Sequence, residues 1–329
     1  MGMVPKVVIT DRSFDDVGIE RGILEAAGCR VVDTRSKDPA VLAAAVADAD
    51  AVITQFAPVN AAVVGAMARA KAIVRYGIGV DNVDLDAARA LGIPVCNVPD
   101  YCIDEVADHT LAFILALTRQ VVPSSLAVHA GQWGLVGPVA AYRTLSAMTC
   151  GVVGFGRIGR AVVRRLFAFG SRVLVADPAV SDADVRAFDG VSATLDQLLA
   201  ESDLVTLHCP SLPQTRGMIG AATLARTKPG LLLVNLSRGD LVDPQALVAA
   251  LDAGTVAGAA LDVFSPEPIP AGHPILGRSD VILAPHIASV STAAVHRLRS
   301  TAAESALAAV RGEVPRSVVN GVATPRRDS

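Results

Sequence analysis

The chain has 329 residues, 52% of them hydrophobic and 19% charged, with a formal net charge of −3. That length suits two domains with sizeable cores. The slight negative charge, with Lys and Arg scattered in runs of no more than two, argues against a nucleic-acid binder working by phosphate neutralisation.

In chain order, the first hundred residues alternate strand and helix signals. Strands are expected at residues 6–10, 30–33, 51–53, 72–76 and 94–97, and helices at 16–27, 39–48, 59–67 and 84–91. Gly28 and Gly92 stand where helices should stop. A long apolar helix is expected over 104–121; its strictly apolar run, 111–117, is far too short for a bilayer. The Gly-rich segment 130–146 holds the only tryptophan, Trp133, and reads as a loop over a ligand cleft or a dimer arm. Further strands are expected at 150–153, 172–176, 204–208, 231–235, 257–261 and 281–284, and a helix at 292–312. The tail beyond Pro325 is expected to be disordered. The βαβ alternation in both halves implies an α/β chain of two doubly wound parallel-sheet domains. If the helices at 104–121 and 292–312 cross the boundary, a cleft lies between the domains. Cys29, Cys96, Cys102, Cys150 and Cys209 form no C-x-x-C pair and show no metal spacing, which suits a reducing compartment. A strand rather than a signal peptide opens the chain, so a cytoplasmic protein is expected, with no metal, nucleic acid or membrane as partner.

The most specific signal lies mid-chain, in Gly151-Val-Val-Gly-Phe-Gly-Arg-Ile-Gly159. Residues 150–154 suit a strand and 157–169 a helix, with Gly154, Gly156 and Gly159 at the turn between them. In that context G-x-G-x-x-G is a dinucleotide fingerprint. Gly154 permits the tight turn, Gly156 lets backbone approach a pyrophosphate, and Gly159 lets the helix pack close. The helix N-terminus then faces the phosphates. The strand at 172–176 ends in Asp177, 18 residues after Gly159, near where an acceptor for a ribose hydroxyl belongs. A glycine turn without a ligand is the bland alternative; the coincidence of strand, turn, helix and acid weighs against it.

Three polar residues then stand at the ends of apolar strands: Arg238 in Leu231-Leu-Leu-Val-Asn-Leu-Ser-Arg-Gly239, Glu267 in Asp262-Val-Phe-Ser-Pro-Glu-Pro268, and His286 in Ile282-Leu-Ala-Pro-His-Ile-Ala-Ser289. Singly, each reads as a surface or structural residue. Their order and spacing together shift the balance.

These residues resemble the D-isomer-specific 2-hydroxyacid dehydrogenases, over about residues 52–320. The likeness is carried by Tyr76-Gly-Ile-Gly-Val-Asp-Asn-Val-Asp84, Val106-Ala-Asp-His-Thr-Leu111, the fingerprint, Asn235-Leu-Ser-Arg-Gly-Asp-Leu-Val-Asp243, Ala260-Leu-Asp-Val263 and Pro285-His-Ile-Ala-Ser289. Within the family, Val95-Cys-Asn-Val-Pro-Asp-Tyr101, Asp177-Pro-Ala-Val-Ser-Asp182 and Gly312-Glu-Val-Pro-Arg-Ser-Val-Val-Asn320 are most similar to the C-terminal binding protein branch and its bacterial enzyme relatives. Ser289 and Val290 depart from it: the corepressor members usually carry a bulky aromatic there.

The resemblance implies a flavodoxin-like substrate-binding domain over 1–101 plus 293–329 and a Rossmann NAD-binding domain over 102–292. It implies NAD-dependent, reversible reduction of a small 2-oxo acid to a D-2-hydroxy acid, of glyoxylate, hydroxypyruvate or phosphoglycerate type. His286 would exchange the proton with the carbonyl oxygen. Glu267 would orient the imidazole and favour its charged form. Arg238 would fork onto the carboxylate, and the N–H groups of Gly77, Ile78 and Gly79 would close around it. For the cofactor, the resemblance implies Gly154, Gly156, Arg157, Ile158 and Gly159 at the pyrophosphate and Asp177 with Pro178 at the ribose. Cys209, Pro210 and Thr215 would line the adenosine side. Leu236, Ser237 and Asp262 would sit beside the nicotinamide, with Thr110 and Ser289 as further contacts; a strand-end cap is the alternative for Asp262. His208 is as readily structural. A homodimer is expected. A C-terminal regulatory domain with serine feedback is not. The rival reading is an NAD(H)-sensing corepressor or scaffold.

Overall fold

In the computed structural model, which describes residues 3–323, the chain divides into two compact units: residues 3–101 with 291–323, and residues 102–290. The tail beyond Pro325, expected to be disordered, lies outside the described residues.

The first unit is built on β1 (Lys6–Ile9), β2 (Arg30–Asp33), β3 (Ala51–Thr54), β4 (Ile73–Arg75) and β5 (Val95–Cys96). All pairs are parallel, in the order β2-β1-β3-β4-β5, the flavodoxin-like arrangement. Val7, Val8, Ile9 and all of β3 are inaccessible to solvent, as a parallel sheet covered on both faces requires. The strands are linked by α1 (Gly18–Leu24), α2 (Pro39–Val46), α3 (Ala61–Gly65) and α4 (Leu85–Ala90). Asp38 caps α2 by accepting from the N–H groups of Ala40 and Val41, with Pro39 beginning the helix. Asn60 and Asp84 cap α3 and α4 in the same way. The first helix is shorter than the expected 16–27. Asp16 stays outside it, and its Oδ1 accepts from the Gly18 N–H at 2.7 Å.

The second unit opens with α5 (Ile103–Thr118) and α6 (Val121–His129). One helix over 104–121 was expected, but Gln120 takes a left-handed conformation (φ 53°) and the two helices meet at 63°. The segment after them is irregular apart from two 3-10 turns, and Trp133 is 93% exposed. Seven parallel strands follow: β6 (Thr149–Val153), β7 (Arg172–Ala176), β8 (Val191–Ser192), β9 (Leu204–Leu207), β10 (Leu231–Asn235), β11 (Val256–Leu261) and β12 (Val281–Leu283). Their order is β12-β11-β10-β9-β6-β7-β8. That is the Rossmann order with one more edge strand, β12, and its switch point lies between β6 and β9. The helices are α7 (Arg157–Ala168), α8 (Asp182–Arg186), α9 (Leu195–Glu201), α10 (Ala221–Leu224) and α11 (Pro244–Asp252). Asp243 and Pro244 repeat the α2 start, cap followed by proline.

The chain returns to the first unit as α12 (Thr292–Val310), which buries Ala294, Leu298, Ala302, Ala303 and Ala306. Its Arg299 meets a fully buried Glu20. Glu20 accepts from Arg299 Nε at 2.8 Å, from Nη2 at 2.7 Å, and from the Tyr76 hydroxyl at 2.8 Å. Tyr76 immediately precedes the Gly77 loop, so this network ties α12 and α1 to the end of β4.

Among the described residues no single helix is long and apolar enough to cross a membrane, and no group of three or more His, Cys, Asp or Glu side chains could hold a metal ion. All five cysteines are free and buried.

Candidate active site

In an open α/β sheet, ligands bind beyond the carboxyl ends of the strands, at the switch point. The turn after β6 lies there. Gly154 has φ 93°, and a Cβ on it would stand 2.6 Å from the Cys209 nitrogen, because the backbone after β9 presses on the turn. A Cβ on Gly159 would stand 2.1 Å from the Gly154 carbonyl oxygen, so α7 packs directly on the turn. Gly156 is different: nothing lies within 4 Å of where its Cβ would be. It also caps α7 without a side chain. The first-turn N–H groups, those of Arg157 and Ile158 among them, are therefore left for an anion. These residues fit a dinucleotide pyrophosphate.

Asp177 is tethered to the same turn. Its Oδ2 accepts from the Phe155 N–H at 2.7 Å and its Oδ1 from the Ala179 N–H at 2.9 Å, which leaves each oxygen a lone pair for a ribose hydroxyl. Pro178 is exposed beside it. Arg160, absent from the sequence reading, donates from Nε to the Phe155 carbonyl at 3.1 Å and stacks on the rings of Phe155 and Phe188.

After β9, burial pushes the His208 imidazole down to about 3, so it is neutral at physiological pH; its Nε2 lies 2.9 Å from the Thr206 hydroxyl. Burial raises the Cys209 thiol to about 11, which makes it a packing residue and not a nucleophile. The Thr215 hydroxyl donates to the Pro210 carbonyl at 2.7 Å and accepts from the Leu212 N–H at 2.8 Å, closing that loop on itself. Ser237 Oγ donates to the Cys209 carbonyl, and Leu236 is buried beside it in sequence. Thr110 is fully buried within α5, its hydroxyl spent on the Val106 carbonyl at 2.7 Å. Ser289 is half-buried, three residues after His286.

The ends of β10, β11 and β12 carry the remaining chemistry. His286 Nδ1 lies 2.8 Å from Glu267 Oε2, and the two side chains keep 30% and 32% of their surface open. Glu267 Oε1 accepts from the Phe264 N–H at 2.8 Å. Burial works to raise the Glu267 carboxyl. The His286 hydrogen bond and charge, the Phe264 N–H and the positive charge of Arg238 outweigh it, and the carboxyl sits below its ordinary range. Glu267 thus fixes the orientation of the ring through Nδ1.

Arg238 is seated by a residue the sequence reading passed over. Asn235, buried at the end of β10, accepts from the Ser237 N–H at 3.0 Å and donates to the Arg238 carbonyl at 2.8 Å. Its only signal was a polar side chain closing an apolar strand. A Cβ on Gly239 would lie 2.0 Å from the Phe264 carbonyl carbon, so the Arg238 turn lies flush on the loop that carries Glu267. Asp262 is fully buried; its two oxygens accept from the Ile287 and Ala288 N–H groups, each at 2.8 Å.

In the first unit, Gly77 has φ 143°, and a Cβ on it would strike the Arg75 guanidinium at 1.5 Å. Its N–H, expected to bind a carboxylate, instead donates to the Arg75 carbonyl at 2.9 Å; its carbonyl accepts from the Val98 N–H at 2.9 Å, and the Ile78 carbonyl accepts from Asn97 Nδ2 at 2.6 Å. Gly79, next along, is half-buried. Arg75, which also lies 5.7 Å over the Phe56 ring, was not singled out from the sequence, where it is one charge at the end of a buried strand.

Residues 111–288 match the family model for the D-isomer specific 2-hydroxyacid dehydrogenase, NAD binding domain. The chain belongs to this family. It is 40% identical to a glyoxylate reductase of Korarchaeum cryptofilum over 84% of each chain. It is 37% identical to the D-3-phosphoglycerate dehydrogenase of Mycobacterium tuberculosis over 96% of its own length, but it spans only 59% of that relative. Among solved structures it is similar to D-lactate dehydrogenase from Aquifex aeolicus complexed with NAD and lactic acid, at 30% identity, TM-score 0.84, and coverage of 93% and 95% of the two chains. It is also similar to an NADPH-dependent glyoxylate/hydroxypyruvate reductase from Sinorhizobium meliloti in complex with NADP and malonate. There the identity is 26%, the TM-score 0.88, and the coverage 99% and 100%. The open space over Gly156 and the uncapped start of α7 thus lie within the residues that match the family's NAD binding domain.

Proposed function

We propose that this dehydrogenase interconverts a small 2-oxo acid and a D-2-hydroxy acid with NAD. The observation that carries the reading is the 2.8 Å His286–Glu267 pair, with Arg238 near enough to lower the Glu267 carboxyl, on the sheet that bears the fingerprint. When bound, the nicotinamide supplies or accepts the hydride. His286 Nε2 gives the proton to the carbonyl oxygen in reduction and takes it back in oxidation. Glu267 holds Nδ1 and favours the imidazolium. Arg238 grips the carboxylate and polarises the carbonyl. In the first unit, the N–H groups of Ile78 and Gly79 are suited to hold a carboxylate, while that of Gly77 donates to the Arg75 carbonyl at 2.9 Å. Asp177 selects NAD over NADP, because a carboxylate accepts from a ribose hydroxyl and repels a phosphate. The relatives named above support glyoxylate, hydroxypyruvate or phosphoglycerate-type substrates.

The working form is a homodimer. Val121, Leu126, Val128, Trp133, Leu135 and Val139 are exposed apolar residues on α6 and the segment after it, an apolar surface suited to a partner subunit. Five buried free thiols suit the cytoplasm. The test is NADH oxidation over a panel of 2-oxo acids. His286→Ala and Arg238→Ala should each lower turnover by about 100-fold or more, the worth of a general acid. Wild-type turnover in either variant refutes the assignment.

A further inference from the structure

We infer that Asn97, seated by Ser317, is a positioning residue that aims the Ile78 and Gly79 N–H groups at the substrate carboxylate. The inference deepens the proposed function and rests on the reading that these N–H groups hold that carboxylate. Each of the two peptide groups is anchored by its carbonyl, to residues just after β5. The Gly77 carbonyl accepts from the Val98 N–H at 2.9 Å, and the Ile78 carbonyl accepts from Asn97 Nδ2 at 2.6 Å. Both peptide bonds are trans. In a planar trans peptide the C=O and the following N–H point in opposite directions. Fixing the Gly77 carbonyl therefore turns the Ile78 N–H away from Val98, and fixing the Ile78 carbonyl turns the Gly79 N–H away from Asn97. Neither N–H is spent on another described residue. Two successive N–H groups turned away from neighbouring anchors suit a single anion.

The Val98 anchor is backbone, but the Asn97 anchor is a side chain and must itself be held. The Ser317 hydroxyl donates to Asn97 Oδ1 at 2.6 Å, and the Asn97 N–H donates to the Ser317 carbonyl at 3.3 Å. With its oxygen taken by the hydroxyl, the amide presents its NH₂ group to the Ile78 carbonyl, which can only accept. Asn97 is buried, so little water reaches either contact. Ser317 has φ 55°, and a residue with a Cβ persists there only where its surroundings hold it. The segment that carries it is stitched along β5. Val318 bridges to Cys96, the Val319 N–H donates to the Val95 carbonyl at 2.8 Å, and Asn320 Oδ1 accepts from the Val95 N–H at 3.0 Å. The chain after α12 thus sets the aim of the loop after β4.

Asn97→Ala and Ser317→Gly test this. Glycine takes a positive φ freely, so the second variant removes the hydroxyl without straining the turn. The readouts are steady-state kinetics with glyoxylate at saturating NADH, NADH affinity by fluorescence titration, and amide exchange at Ile78 and Gly79 with and without oxamate, an unreactive carboxylate. A contact made equally in the ground and transition states sets KM and not kcat. We expect Asn97→Ala to raise KM about tenfold or more, the worth of one hydrogen bond to a charged group, and Ser317→Gly to raise it about fivefold, the worth of one between neutral groups. Because the fingerprint lies in the other unit, NADH affinity should stay within about twofold, and kcat within about threefold. A general loosening of the fold would lower kcat as well. An unchanged KM in either variant, or kcat lost in step, overturns the proposal. In the wild type, oxamate should slow exchange at Ile78 and Gly79, and in Asn97→Ala that slowing should be lost. Slowing kept in the variant overturns the positioning role alone. No slowing in the wild type overturns the carboxylate reading on which that role rests.

Discussion

Gly154 and Gly156 belong to one motif, yet their surroundings give them different duties, and alanine should tell them apart. Gly156 has φ −71° and ψ −161°, a conformation alanine takes readily, and nothing lies within 4 Å of the new methyl group. Replacing it should leave the ligand-free fold intact and stabilise it by about 0.4–1 kcal/mol through the unfolded chain. The methyl group would instead occupy the space left for the pyrophosphate. Losing about 1.4 kcal/mol of binding weakens NADH tenfold, and we expect at least that. Gly154 has φ 93°, and its methyl group would stand 2.6 Å from the backbone nitrogen of Cys209, just after β9. The left-handed cost is about 1–2 kcal/mol, and overpacking adds about 1–3 kcal/mol. Gly154→Ala should therefore melt several degrees lower before any ligand is added. Thermal melts and NADH fluorescence titrations on both variants make the comparison. If Gly156→Ala binds NADH as the wild type does, or destabilises the free protein as much as Gly154→Ala, the pyrophosphate does not sit over Gly156.

Removing Glu20 should leave the Arg299 guanidinium buried without its main partner, and Glu20→Ala should cost about 3–5 kcal/mol in a denaturant titration; a change under about 1 kcal/mol would mean that the pair is dispensable. Glu267 has a pH signature. Its folded carboxyl lies below the ordinary range, so what it adds to stability is complete above the unfolded value, about 4.3, and fades as the pH drops through the folded one. The stability gap between wild type and Glu267→Gln should accordingly narrow on acidification in parallel denaturation curves. A gap that is constant from pH 7 to pH 3 would exclude the ionised pair.

The sheet frameworks were legible because parallel strands buried on both faces must be short apolar runs, and because Gly28 and Gly92 mark helix ends by chemistry that needs no tertiary context. The break between α5 and α6 was not. It falls at Gln120, a residue with no special liking for the left-handed region, in a stretch apolar enough to read as one helix. The two-residue β8 is too short to show a period. At the site, Arg238, Glu267 and His286 stood out by their order and spacing after apolar runs, although Glu267 lies well into the loop after β11. Asn235 ends such a run too, but an amide holding a turn looks like any other strand end until its partners are seen. Arg75 and Arg160 were hidden for a related reason. What each does depends on a glycine or a ring brought near it by the fold.

Product chirality tests the central claim most directly. The enzyme would be given NADH with glyoxylate to establish turnover, then with hydroxypyruvate, and the glycerate formed would be resolved by chiral chromatography. We expect D-glycerate alone, formed in step with NADH loss and abolished in His286→Ala. L-glycerate, a racemate, or the same product at the same rate without His286 would contradict the account.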